Sequence, residues 1–163
     1  MKKIIFVMLS SLAFTLISCK KEKALDTKIS YQEYQDYTIV NSYKINDVNF
    51  KIINNIDSFN TIFKIKDYAN NQTKLSESDF KLKKGIAVIY QFNNICNVIL
   101  KIDTVIFSDN IVKLYYDLNV SNGNNGITCN EFAQPNLFIL TNKTDFSSVE
   151  FYKNNILIKV LNN

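Results

Sequence analysis

The stretch CNVILKIDTVIFSDNIVKLYYDLNV, residues 96–120, decides the fold. Cys96, Val98, Leu100 and Ile102 alternate with Asn97, Lys101 and Asp103. After the polar residues Ser108, Asp109 and Asn110, Val112, Leu114, Tyr116, Leu118 and Val120 alternate with Lys113, Tyr115, Asp117 and Asn119. A period of two sends successive side chains to opposite faces of a strand, so each run has one apolar and one polar face. Two such runs joined by a polar turn predict an antiparallel hairpin.

The flanking sequence extends the pattern. Val48, Phe50 and Ile52 alternate with Asn49 and Lys51. The run Gly85-Ile86-Ala87-Val88-Ile89-Tyr90 is apolar throughout, as in a central strand covered on both faces. Residues 137–140, 149–152 and 156–161 predict three more strands, with Asn154-Asn155 as a tight turn. One helix is expected after Asp57, whose carboxylate can cap an orphan backbone N–H. It would carry Phe59, Ile62 and Phe63 on one face, with Ile56 packing back onto its first turn. A second short turn is expected over residues 76–80. Together these give an α+β, mainly β fold: an antiparallel sheet of about six or seven strands with one short helix packed on it.

The first nineteen residues, MKKIIFVMLSSLAFTLISC, are of a different kind. Lys2 and Lys3 precede an apolar run over residues 4–17, roughly 14 residues long and too short for a comfortable membrane span. Leu16-Ile17-Ser18-Cys19 resembles the lipobox of bacterial lipoproteins. The resemblance implies that Cys19 takes a diacylglyceryl group, that the chain is cut before it, and that its freed amine is acylated, for example with palmitate. Two or more acyl chains give stable anchoring. The absence of Asp at position 20, where Lys20 stands, favours the outer membrane over the inner. The expected organisation is therefore a cleaved signal peptide (1–18), a lipidated tether (19–36) and a single β-rich domain (37–163). The charged stretch after Cys19 reads as a solvated tether, and its lysines also suit a surface-export signal. The periplasmic and the surface face both stay open.

Composition narrows the chemistry. The net charge is +4; Lys2 and Lys3 supply two of these charges, leaving +2 for residues 19–163. With no basic run beyond the tether, nucleic acid is not expected as a partner. The abundant Asn, Ile, Lys, Phe and Tyr reflect AT-rich codons more simply than a functional tract. There is no histidine. That removes Ser-His and Cys-His nucleophile pairs, imidazole metal sites and most pH switches near neutrality. Glu77 with Asp79 reads as helix capping or solvation, and Asp103 and Asp117 read as solvent-facing. No catalytic residue, cofactor or metal site is expected, and the chain is read as a non-enzyme. The polar segment 121–126 lacks the features of phosphate or calcium loops and reads as a connection. Two N-glycosylation acceptor matches, Asn71-Gln72-Thr73 and Asn142-Lys143-Thr144, read as chance in a bacterial lipoprotein.

With Cys19 spent on lipid, Cys96 and Cys129 remain as an even pair in an oxidising compartment, where a disulfide is expected. It would close a loop of some 34 residues and stabilise by roughly 3–4 kcal/mol. Two free thiols or a metal site are the alternatives, and two thiols without histidine make a poor zinc site.

Asp57-Ser58-Phe59 with Phe63, Asp79-Phe80 before Ile86-Ala87-Val88, the hairpin, and Pro135-Asn136-Leu137-Phe138 follow one another in a particular order. That order resembles the B-type accessory-subunit lipoproteins of protease complexes. The resemblance spans about residues 48–152. The family's Gly-Gly-Tyr step before the hairpin is absent, and Asn94-Ile95-Cys96 stands near its place. The resemblance implies an accessory to an envelope protein, often a protease. The expected function is a membrane-anchored envelope lipoprotein with a non-catalytic, protein-binding domain, Tyr115 on the outer hairpin face being one candidate contact. The alternative is a small-ligand or glycan-binding surface-display module, which predicts an apolar pocket between sheet and helix.

Overall fold

The computed structural model describes residues 25–66, 74–95, 97–121, 131–142 and 145–163, without the side chains of 94, 131 and 132. The expected sites Cys19, Cys96 and Cys129 lie outside them, as do the loop beyond Ser121 and most of both glycosylation matches. In chain order come β1 (Thr27–Lys28), β2 (Tyr31–Glu33), β3 (Tyr37–Ile39), β4 (Val48–Ile53), α1 (Ile56–Asn60) and β5 (Phe63–Ile65). Then follow α2 (Glu77–Lys81), β6 (Lys84–Tyr90), β7 (Phe92–Ile95), β8 (Asn97–Ser108) and β9 (Ile111–Ser121). The last are β10 (Glu131–Ala133), β11 (Asn136–Thr141), β12 (Ser148–Lys153) and β13 (Ile156–Asn162).

The fold is mainly β, with three layers. One sheet has the order β1-β8-β9-β12-β13, the other β2-β11-β6-β4. In place of the expected single antiparallel sheet there are these two sheets and two two-stranded pairs, β3–β5 and β7–β10, and the first sheet is mixed: β9 and β12 run parallel, Leu114 opposite Phe151 and Tyr115 opposite Tyr152. The third layer is the pair β3–β5 with α1 and α2, so there are two short helices among the described residues where the sequence predicts one. Residues 27–33, expected in the tether, include strand: Thr27 pairs with Phe107 and Gln32 with Leu140.

Alternation assigns each side chain to a layer. On β6 and β11, Ile86, Val88, Leu137 and Ile139 face the five-stranded sheet, where they meet Ile102, Val112, Leu114, Val149 and Phe151. Ala87, Ile89, Phe138 and Leu140 face the other way, onto Tyr37, Phe59, Phe63 and Phe80. The unbroken apolar run of β6 is therefore covered on both faces, as its composition requires. The β8–β9 hairpin turns on Asp109 (φ 52°) and Asn110 (φ 65°), and β12–β13 on Asn154 (φ 49°) and Asn155 (φ 65°). Two residues with positive φ match the twist of the strands they join, and Asn and Asp tolerate that region best after glycine. A bulge at Asp103 breaks the period within β8: Ile102 faces inward, then Val105 does.

The helix cap is corrected. Asn55, not Asp57, is the N-cap of α1: its Oδ1 accepts from Ser58 N at 2.8 Å. Asp57 instead lies in the first turn, where its charge suits the positive end of the helix dipole. The helix stops at Asn60, because Thr61 turns back on it (Oγ1 to Ser58 O, 2.7 Å) and Phe63 starts β5. Phe59 and Phe63 still stack at 5.1 Å between ring centres. On α2, Asp79 is a capping residue, accepting from Ser76 N at 2.8 Å.

Between the two sheets, Tyr90 and Tyr116 hydroxyls bond each other at 2.9 Å. Burial pushes both phenols above the ordinary tyrosine range, and for Tyr116 the bond to Tyr90 adds to it. Tyr31 and Tyr34 move the same way, chiefly through burial. A phenol whose folded pKa is raised contributes stability that is whole below about pH 10 and is lost as pH climbs from there toward the folded value. No histidine titrates near neutrality. The urea midpoint is therefore expected to stay level between about pH 6 and 8 and to fall above about pH 10. Tyr116→Phe should lessen that alkaline fall while lowering the midpoint at neutral pH, since the Tyr90 hydroxyl loses its buried partner.

Candidate docking face

The face of the five-stranded sheet turned away from the core is a surface built from strand register. Pairing sets Ile106, Lys113, Glu150 and Val160 in one row and Thr104, Tyr115, Tyr152 and Leu157 in the next. Tyr115 and Tyr152 stack with ring centres 4.4 Å apart and planes 14° from parallel. Tyr115 is half-buried by this neighbour and belongs to neither core. The hairpin reading puts it on the outer face, and that is where it stands. Asp103 and Asp117 are solvent-exposed, as their register implies.

Glu150 fixes the second ring. Tyr152 Oη donates to Glu150 Oε2 at 2.7 Å, and this bond, with burial, moves the phenol well above its usual range. Lys113 is 3.7 Å from the Asp26 carboxylate. The stacked rings thus sit in a rigid frame with their outer surfaces open. A rigid tyrosine supplies contact area at low conformational cost.

Beside them runs β13, an edge strand. Ile156 is 67% exposed, Leu157 47%, Ile158 38% and Val160 46%. Proteins usually protect such edges with charges, bulges or proline. Among the described residues, the protection within the strand amounts to Lys159 and one irregularity opposite Phe151 and Tyr152. The strand is also pinned at both ends. At the turn, Asn154 N donates to Tyr116 O (2.9 Å) and Asn154 Oδ1 accepts from Leu118 N (3.1 Å). At the far end, Asn163 bonds Phe146 O and Ser147 O, and Lys84 Nζ donates to its Oδ1 at 2.7 Å. An apolar strand pinned at both ends, with one side unpaired among the described residues, is a template for strand addition. Residues 156–161 read as an ordinary strand in the sequence. Their exposure follows from sheet order, for which local periodicity carries no signal.

Among the described residues, no group of three or more Cys, Asp or Glu is placed to hold a metal ion. No helix among them is long and apolar enough to cross a membrane. No family model, curated protein or solved structure matches the chain.

Proposed function

We propose that this chain is a bacterial envelope lipoprotein, anchored through acylated Cys19, whose β domain is a non-catalytic accessory that binds another envelope protein through β13 and the Tyr115–Tyr152 face. The observation that carries the reading is the pinned apolar edge strand, on which exposed Leu157 and Val160 share the outer face with the stacked tyrosine pair and Ile156 and Ile158 are exposed as well. Strand addition draws affinity from main-chain hydrogen bonds and specificity from alternate side chains. Anchoring raises the local concentration at the membrane, so modest affinity is enough. The lipobox resemblance supports the anchor, and Lys20 in place of Asp supports an outer-membrane address. The resemblance to the accessory lipoproteins of protease complexes supports the accessory role.

The test is site-specific photo-crosslinking in intact envelopes. A photoreactive residue at Leu157 or Val160 is expected to give a discrete higher-mass adduct. The same residue at Glu77, exposed on α2, gives none. Adducts that are absent from β13, or equal at all three positions, overturn the docking face.

A further inference from the structure

On the opposite layer of the molecule, a pocket of about 350 Å³ opens between α1, β3 and β5. Its floor is apolar: Tyr37, Phe59, Phe63 and Leu75, all buried. The floor is preformed. Tyr37 and Phe59 meet edge to face at 4.9 Å, and Tyr37 Oη accepts from Leu75 N at 3.0 Å, tying the segment before α2 to β3. The exposed side chains on its wall include two lysines, Lys64 and Lys74. Among the described residues, no carboxylate belongs to the wall and neither lysine has an ion-pair or hydrogen-bond partner.

We propose that this pocket binds a small apolar carboxylate, its hydrocarbon or aromatic body on the Phe59–Phe63 floor and its anionic head between Lys64 and Lys74. The volume lies within the range of small-molecule sites, which combine apolar walls with a few polar groups that fix orientation. Removing hydrocarbon from water supplies the non-directional part of the affinity. A carboxylate meeting two ammonium groups at the mouth supplies the sign preference, through charge-assisted hydrogen bonds. A neutral ligand of the same shape keeps the first contribution and loses the second. A cation meets two like charges. The site is separate from the docking face, and each can fail without the other.

The experiment uses the full chain in lipid nanodiscs, with empty nanodiscs as background. The probes are 4-phenylbutyrate, its neutral amide and the corresponding phenylbutylammonium, followed by ligand-observed NMR titration. The carboxylate is expected to bind saturably, the amide about tenfold more weakly and the ammonium not at all. In the Lys64→Gln/Lys74→Gln double variant, carboxylate affinity should fall about tenfold, to the level of the amide, while amide binding stays unchanged. Both positions are exposed, so an unchanged urea midpoint verifies that the variant is folded. Absence of saturable carboxylate binding, equal binding of all three probes, or indifference to the double substitution overturns the proposal.

Discussion

Phe138→Ala is expected to lower stability by about 4 kcal/mol, the middle of the range for buried aromatic truncations. Phe138 is fully buried on β11, at the centre of the aromatic cluster under α1. Its ring centre lies 4.8 Å from that of Phe59, 5.3 Å from Phe63 and 5.7 Å from Tyr34. Truncation removes the transfer free energy of the ring and leaves a cavity walled by other rings. Those rings are held by the β3–β5 pairing and by α1, so they cannot close the gap freely. Chemical denaturation reads the loss directly; at about 3 °C per kcal/mol for a domain of this size, the thermal midpoint should fall by about 12 °C. A loss under about 1 kcal/mol would mean that this cluster is not packed as described.

Gly85→Ala is the second large effect, and it acts on the same ring. A Cβ at position 85 would lie 2.7 Å from Phe138 Cε2, 3.2 Å from its Cζ and 3.0 Å from Ile53 Cβ. Gly85 pairs with Leu140 on one side and Ile53 on the other, in the middle of the four-stranded sheet. Backbone on both sides prevents β6 from moving away, so the ring must leave its place. The expected cost is about 3 kcal/mol, at the upper end for overpacking. Since the clash is mainly with one side chain, Phe138→Leu should partly relieve it. The double variant Gly85→Ala/Phe138→Leu is expected to be more stable than the sum of the two single losses by about 1 kcal/mol or more. Strict additivity in urea unfolding would place the strain elsewhere.

These two residues also mark how far the chain can be read before its structure is known. Gly85 heads an apolar run whose composition alone demands cover on both faces, and β6 has that cover. The β8–β9 hairpin is legible because alternation and turn chemistry agree there, Asp109 and Asn110 both adopting positive φ. The missed elements have physical reasons. β1, β2, β3 and β5 have two or three residues each, too few for a period to show. Tyr31 to Glu33 resemble tether because they are polar; main-chain pairing to β11 holds them in place, whatever their side chains. The Asp57 carboxylate suits the cap role, yet Asn55 offers an equally good acceptor two residues earlier, and tertiary packing of Phe59 selects it. The parallel β9–β12 contact joins strands far apart in sequence, and no local pattern encodes such a pairing.

The candidate surface divides along the same line. Tyr115 is legible, since its parity in the hairpin puts it opposite the core. Tyr152 as its stacking partner is not, because that contact depends on β12 lying beside β9. The edge character of β13 is hidden for the same reason. Its apolar residues are those of a core strand, and only the sheet order leaves them bare.

The proposed address and role both depend on the proposed anchor at Cys19. Cells fed an alkyne analogue of palmitate should yield this protein labelled, membrane-bound and free of residues 1–18, with Cys19→Ala both unlabelled and uncut. A wild-type product that carries no label, and that fractionates as the Cys19→Ala variant does, would contradict it.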